Sequence, residues 1–273
     1  MKVFQPSVRL FMVWLTFDIT VTLVIPPAVL SASSHNERAT INLSRHELAK
    51  YQPPKQGFGG SPPPVGGATR GGQCEGDAAQ NQLTLTGLIP NLGSEESVNL
   101  SYTLSTSPEF FIYLPETSAR QVEFVLKDED EFDLYRTIFE ISGESGIAIV
   151  WLPEIPEIVV NKNYHWYFSL ICNPNNLRKN VEIDGWVQRL DLDPTLENQL
   201  DRLERSDSIA RSNLYAEAGI WHEAIATLAR LYLENPDNPA VVREWKLLLE
   251  SAGLESFTEV PMNFIELEKT PEF

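Results

Sequence analysis

At Asp191 the spacing of apolar residues changes period, and no other feature of the chain constrains its fold as much. Between Gln82 and Leu190 short apolar runs alternate with a period of two, and beyond Asp191 apolar residues return every three or four positions. A period of two puts successive side chains on opposite faces of a strand, whereas three to four lines them along one stripe of a helix. A block of strands with no helical period between them makes antiparallel packing in two sheets the economical solution, with the helices docked afterwards.

The runs lie at 83–90, 98–104, 109–115, 121–127, 134–141 and 147–152, and two more flank a turn inside Asn163–Asp191, about eight strands in all. Asp128-Glu129-Asp130-Glu131 and Ser142-Gly143-Glu144-Ser145-Gly146 supply turns between them. Asn163–Asp191 is the densest aromatic stretch, and its Asn173-Pro174-Asn175-Asn176 predicts a β-hairpin turn. Alternation puts Tyr164, Trp166, Phe168, Leu170 and Cys172 on one face, with His165, Tyr167, Ser169 and Ile171 on the other. Tyr164, following Pro156 and Val159-Val160, resembles a tyrosine corner, which favours an immunoglobulin-like or fibronectin-like sandwich with Trp166 and Cys172 facing the core. A jelly roll could use the same residues.

Four helices are expected beyond Asp191. Asp193-Pro194 opens one to about Glu204, and a second runs from Ser206 or Asp207 to a stop at Gly219. A third spans Trp221 to about Leu233, before Asn235-Pro236, and a fourth spans Pro239 to about Ala252, ending at Gly253. The fourth carries an apolar stripe, Val241, Val242, Trp245, Leu248 and Leu249. Tyr215, Gly219, Ala224, Leu228 and Pro236, with Trp221, stand at the spacing of a tetratricopeptide repeat, and this segment (192–254) resembles a single such unit. One unit cannot bury its own faces and must dock on the sandwich. The fold expected is therefore mainly β: an antiparallel immunoglobulin-like sandwich (74–191), a docked tetratricopeptide-like helical segment, and a loose acidic tail (255–273).

Upstream, Lys2 and Arg9 precede an apolar run from Leu10 to Ile25, then Pro26-Pro27 and small residues to Ala32, the order of a signal peptide (1–32). Asp18 interrupts the run and no A-x-A site follows, so an uncleaved membrane anchor is the alternative. Residues 33–73 turn to Ser, Asn, Pro and Gly and read as a flexible tether. Export places the two cysteines, Cys74 and Cys172, in an oxidising compartment, where a disulfide is expected. Closing a loop of about 100 residues contributes up to about 4.7 kcal/mol in the chain-entropy model.

The net charge of -17 divides unevenly. Residues 1–73 hold 7 Lys/Arg against 3 Asp/Glu, leaving about -21 on the remainder, which repels phosphate backbones and argues against nucleic-acid binding. His46-Glu47 and His222-Glu223 each begin a zinc-helix motif, yet neither has a second histidine four residues on, and no metal or cofactor is expected. Ser145 has Gly143 before it but Ile147 after it, which fails the nucleophile-elbow pattern. Asp128, Asp130 and Asp133 lack the glycine and distal glutamate of a calcium loop and read as a solvated turn. Among the acidic residues near the hairpin, Glu182, Asp184 and Asp191 are the least implausible pair-forming carboxylates for a glycosidase. The candidate binding surface is the hairpin's outward face, His165, Tyr167, Trp186 and Gln188, unless the helices cover it, which is the favoured arrangement.

Thr69-Arg70-Gly71-Gly72 leading to Cys74, Tyr135-Arg136-Thr137, Tyr164 to Pro174, Gly185-Trp186-Val187-Gln188-Arg189 and Tyr215 to Trp221 carry a further resemblance. Over residues 69–254 the chain resembles the cyanobacterial exported family called domain of unknown function number nine hundred and twenty-eight. That resemblance implies one exported unit with paired cysteines and brings no catalytic residues with it. Together these readings lead to an expectation of a non-catalytic exported protein that binds a protein or glycan partner in the cell envelope. The alternative is an envelope hydrolase with a carboxylate pair in a cleft between sandwich and helices.

Overall fold

The computed structural model describes residues 51–53, 72–77, 83–91, 100–204, 206–265 and 267–269. The expected signal segment and all of the tether except Tyr51–Pro53 and Gly72–Gln73 lie outside these residues. The aromatic hairpin forms as its alternation requires: β7 (Asn163–Leu170) pairs antiparallel with β8 (Val181–Arg189), with Trp166 opposite Gly185 and Phe168 opposite Ile183. Gly185 is dictated by this register, because a Cβ there would stand 2.7 Å from Trp166 Cζ2. Around the hairpin are β2 (Leu100–Thr103), β4 (Gln121–Lys127), β5 (Asp133–Glu140) and β10 (Glu268–Lys269), in the order β10-β5-β4-β7-β8-β2. A second sheet has the order β1-β3-β6-β9, from β1 (Thr86–Gly87), β3 (Glu109–Leu114), β6 (Gly146–Trp151) and β9 (Phe264–Ile265).

The two sheets face each other as a sandwich. Phe110 of β3 meets Phe124 of β4 at 5.0 Å and Trp166 of β7 at 5.6 Å between ring centroids. All three rings are buried, and each such aromatic pair adds about 0.5–1.5 kcal/mol beyond the area it removes from water. The Tyr164 hydroxyl donates to Glu157 O at 2.7 Å and accepts from Val159 N at 2.7 Å, so it ties the start of β7 back to the chain just before it. Cys74 and Cys172 are bonded across a separation of 98 residues. Of the expected core-facing set, only Cys172 is half-buried, because β7 ends at Leu170 and the alternation stops with it.

Helices α1 (Pro194–Arg202), α2 (Ser208–Glu217), α3 (Trp221–Glu234) and α4 (Pro239–Ser251) follow, within two residues of their expected ends. Asp193, Asp207 and Asn238 cap α1, α2 and α4 by accepting backbone N–H groups of the first turn. Gly253 sits at φ +75, and a Cβ there would overlap the Asn91 carbonyl; Asn91 N donates in turn to Ala252 O at 2.7 Å. Helix α4 packs on the outer face of the four-stranded sheet, while the start of α3 lies against β2 and the open edge of β3. Phe111 and Tyr113 alternate outward there, Phe111 meeting Trp245 of α4 at 6.3 Å and Tyr113 meeting Phe257 at 5.4 Å. One continuous core joins them: Trp221, Leu228, Trp245 and Leu248 belong to the same buried cluster as Phe110 and Trp166.

Four expectations need correction. The sheets are not wholly antiparallel, since β2 runs parallel to β8 and β6 parallel to β9. Both exceptions are edge pairings brought about by long returns of the chain, which a local turn does not constrain. The acidic tail is not loose over its described part: β9 and β10 add an edge strand to each sheet, and Phe257 is buried. The Asn173–Asn176 turn forms, Asn176 N donating to Asn173 O at 2.9 Å, but it is only part of a longer hairpin connection, because β7 ends at Leu170, β8 begins at Val181, and a 3₁₀ turn at Leu177–Lys179 follows it. Within the tether, Tyr51 is buried edge-on to Trp221 at 5.4 Å, its N–H donates to Ser251 Oγ, and Gln52 N donates to Ala216 O.

Candidate functional site

Three places bring reactive or ligand-binding side chains together. The first is the outward face of the hairpin, where β7–β8 pairing sets His165 beside Trp186 and Tyr167 beside Asp184. The His165 ring stacks on the Trp186 indole at 4.2 Å and 10°. Its Nε2 lies 2.9 Å from Asp184 Oδ2, and its Nδ1 lies 2.7 Å from the Tyr167 hydroxyl and 3.2 Å from Glu131 Oε1. Burial opposes the ionisation of Glu131, yet the bonds from His165 and Lys127 hold its carboxyl below the usual carboxylate range. Burial, then the Glu131 and Asp184 charges, push the Tyr167 phenol up, so it stays a proton donor.

This face joins the four expected residues on one side of the sheet, and it also buries three of them. His165, Trp186 and Gln188 are buried, leaving Tyr167 as the partly exposed member. Gln188 Nε2 donates to Asn163 Oδ1 at 3.0 Å. The helices are not the cover: α3 meets β2 and β3, and no described helix lies against β7 or β8. The reason is chemical, since this face carries Asp184, Glu182 and Ser169, while the outer face of the four-stranded sheet offers Phe111 and Tyr113 to an apolar helix stripe. Asp128 forms the expected solvated turn, its Oδ1 accepting from Asp130 N and Phe132 N at 2.9 Å each. Glu131 follows in left-handed backbone (φ 64), and this conformation accompanies its reach to His165.

The second place is the disulfide end of the sandwich. The connections between β3 and β4 and between β5 and β6 meet the Cys74–Asp77 turn around an open, polar cavity of 680 Å³. Asp77, Ser118, Arg120, Glu144 and Asn263 are among its walls. Asp77 braces it: Oδ2 accepts from the Thr117 hydroxyl at 2.7 Å and Oδ1 from Ser118 N at 2.9 Å. Burial opposes ionisation of Asp77, but these bonds hold it below the usual range. A second cavity, of 480 Å³ and lined by Leu83, Tyr113, Val260 and Pro261, shares Ser145 and Asn263 with the first.

The third place is the junction of sandwich and helices. Because β1 is only two residues long, it leaves the Glu109 carbonyl of β3 without a ladder partner, and His222 of α3 takes it through Nδ1 at 2.8 Å. His222 Nε2 lies 2.8 Å from Ser101 Oγ. Burial pushes the His222 pKa down to about 4, so the ring is neutral at pH 7, with Nδ1–H donating to the carbonyl and Nε2 accepting from the serine. This Ser–His pair has the spacing of a nucleophile and its base, but Ser101 is wholly buried in the sheet, and the pair acts as a structural peg. Next to it, Glu223 Oε1 accepts from the Thr103 hydroxyl at 2.8 Å and from Leu104 N at 2.9 Å. Burial raises its pKa despite these bonds.

In the sequence His222-Glu223 stands only as half of a zinc motif, Glu131 only as part of a turn, and Ser101 and Asp77 belong to no motif. One usable signal was present: Glu223 follows Trp221 and precedes Ala224-Ile225, a charge inside the most apolar helix. Of the least implausible carboxylates, Asp184 is engaged with His165, and Glu182 Oε2 accepts from Ser169 Oγ at 2.7 Å. Among the described residues no cluster of three or more His, Cys, Asp or Glu side chains could hold a metal ion, and no helix is long and apolar enough to cross a membrane. With the geometry in place, comparison with known families shows that the model described as Domain of Unknown Function (DUF928) matches residues 65–262. No curated protein matches the chain.

Proposed function

The chain belongs to the DUF928 family, and for this member we propose a non-catalytic exported protein that binds a glycan or protein partner in the cell envelope. The observation that carries the reading is the joined, open pair of cavities at the disulfide end, polar in one and apolar-floored in the other. Hydroxyl, carboxylate, guanidinium and amide groups on a sandwich rim suit a polyhydroxylated chain, which exchanges its water contacts for these groups. The disulfide supports an oxidising compartment, since such bonds persist there. The Tyr164 hydroxyl bonds support an immunoglobulin-like sandwich. Tyr51 and Gln52, bonded to Ser251 and Ala216 across α4 and α2, support a tetratricopeptide-like unit that holds extended chain.

The hydrolase reading finds its cleft at the junction but lacks a matched pair of carboxylates. Glu109 and Glu223 line the same cavity, yet Glu109 is ion-paired with Arg230, which leaves Glu223, raised by burial, without a second free carboxylate opposite it. The test of binding places bulk at two exposed rim positions, Ser118→Trp and Glu144→Trp. Pull-down from envelope extract and calorimetry with purified envelope glycans should show a partner retained by the parent chain and lost in both variants. Equal retention by parent and variants would remove the disulfide end as the binding site.

A further inference from the structure

Residues 51–53 lie on the helical segment and touch it at few points. The Tyr51 ring is buried edge-on to Trp221 of α3, at 5.4 Å between centroids. Two successive main-chain groups hold it there: Tyr51 N donates to Ser251 Oγ of α4 at 2.8 Å, and Gln52 N donates to Ala216 O of α2 at 3.0 Å. Ala216 O is one of the last carbonyls of α2, which the helix itself leaves without an N–H four residues on. Burial, and then Tyr102 of β2, push the Tyr51 phenol up, so the ring reaches from the helices toward the sheet.

The seat belongs to the domain, and its occupant comes from outside it. Ala216, Trp221 and Ser251 lie within the span 65–262 that matches the family, whereas Tyr51 precedes that span. Gln52 and Pro53 are exposed, so what the seat grips is one ring and two N–H groups. Residues 54–71, the Pro- and Gly-rich stretch of the sequence, connect this segment to Gly72. A segment joined by a linker of such composition meets its site at an effective concentration on the order of mM. Covalent linkage thus favours filling in cis, yet a separate chain can offer the same ring and the same two donors.

We infer that this seat is a recognition site for an extended segment bearing a tyrosine, and that Tyr51 fills it in cis as a displaceable self-ligand. The ring supplies the buried apolar area, and the two N–H groups fix the register, since a proline after the tyrosine has no N–H to give Ala216. A second tyrosine-bearing segment therefore competes with the tether and releases it. This inference rests on the reading of the helices as a unit that holds extended chain, and the seat lies apart from the cavities at the disulfide end.

The probe is a fluorescein-labelled peptide of residues 47–54, ELAKYQPP, followed by polarisation with three full-length chains. These are the parent, Tyr51→Ala, whose seat is vacant, and Gln52→Pro, which keeps the ring for the core while loosening the tether. Tyr51→Ala is expected to bind the peptide saturably and to gain melting temperature on binding, and Gln52→Pro to bind it more tightly than the parent does. The parent, whose own tether competes, should bind at least roughly tenfold more weakly than Tyr51→Ala. A peptide with alanine in place of tyrosine should not bind, and adding Ser118→Trp at the disulfide end to Tyr51→Ala should change nothing. Absence of saturable binding to both variants, equal affinity in the parent and Tyr51→Ala, or equal binding of the alanine peptide would each overturn the inference. So would dimerisation of the parent that the peptide reverses, which would make the Tyr51 of a second copy the occupant.

Discussion

His165 and His222 are both buried, both lie within 3 Å of a hydroxyl, and both have a glutamate close by, yet they do different things. His165 lies on the polar face of the hairpin with carboxylates on two sides, Asp184 at Nε2 and Glu131 at Nδ1. His222 has only neutral partners, a serine hydroxyl and a backbone carbonyl, and its ring stands edge-on to Phe110 at 5.1 Å. The neighbouring Glu223 turns its bonds to Thr103 and Leu104 instead. The comparison teaches that burial alone does not give a histidine its role; what stands opposite the second nitrogen does. His222 is a neutral peg that closes an unfinished sheet edge, and His165 is the hub of a charged network leading to Tyr167 at the surface.

The largest expected difference between them is in stability. His222→Ala empties a site against Phe110 and orphans the Glu109 carbonyl, while the Ser101 hydroxyl keeps the Trp186 carbonyl at 3.1 Å, for a loss of about 3–4 kcal/mol in urea unfolding. His165→Ala unpairs partly exposed carboxylates that water can solvate, and about 1.5–3 kcal/mol is expected. Equal losses would break the distinction. Acidification sharpens it next. An unfolded His222 binds its proton near 6.5 and the folded one at about 4, so between these values the unfolded chain holds more protons. The His222 contribution is therefore present above 6.5 and lost as pH falls toward 4, by about 3 kcal/mol. Unfolding at pH 7 and pH 4.5 should show that loss in the parent and a smaller one in His222→Gln.

The smallest effect concerns Glu223, whose raised pKa has the opposite sign. Its stabilising contribution is present below the unfolded carboxyl pKa and disappears as pH rises through the folded one. Glu223→Gln should accordingly be more stable than the parent at pH 8 by about 1 kcal/mol, with the gap closing at pH 4. Thermal melts at the two pH values decide it, and a variant less stable at pH 8 would show that the charge is compensated.

Much of this molecule is legible in its order of residues. The inward set Tyr164, Trp166, Phe168 and Leu170, the three side-chain caps Asp193, Asp207 and Asn238, and the stops at Gly219 and Gly253 all follow from short-range rules of alternation, capping and left-handed backbone. The bonded pair Cys74–Cys172 followed from having two cysteines and an export-like N-terminus. The outward set His165, Tyr167, Trp186 and Gln188 was placed on one face by the same alternation, but its burial was not readable, because period two specifies a face and not what lies over it.

The chain alone thus determined the strand-then-helix order and which residues of each element point inward, since those depend on neighbours a few positions away. Tertiary structure decided the parallel edge pairings β2–β8 and β6–β9, the return of the tail as β9 and β10, and the placing of Glu223 beside Thr103 across 120 residues. These contacts arise where unpaired sheet edges and leftover apolar faces find partners far along the chain. The hydrogen bonds and buried area involved have no local signature, so only the assembled molecule could show them.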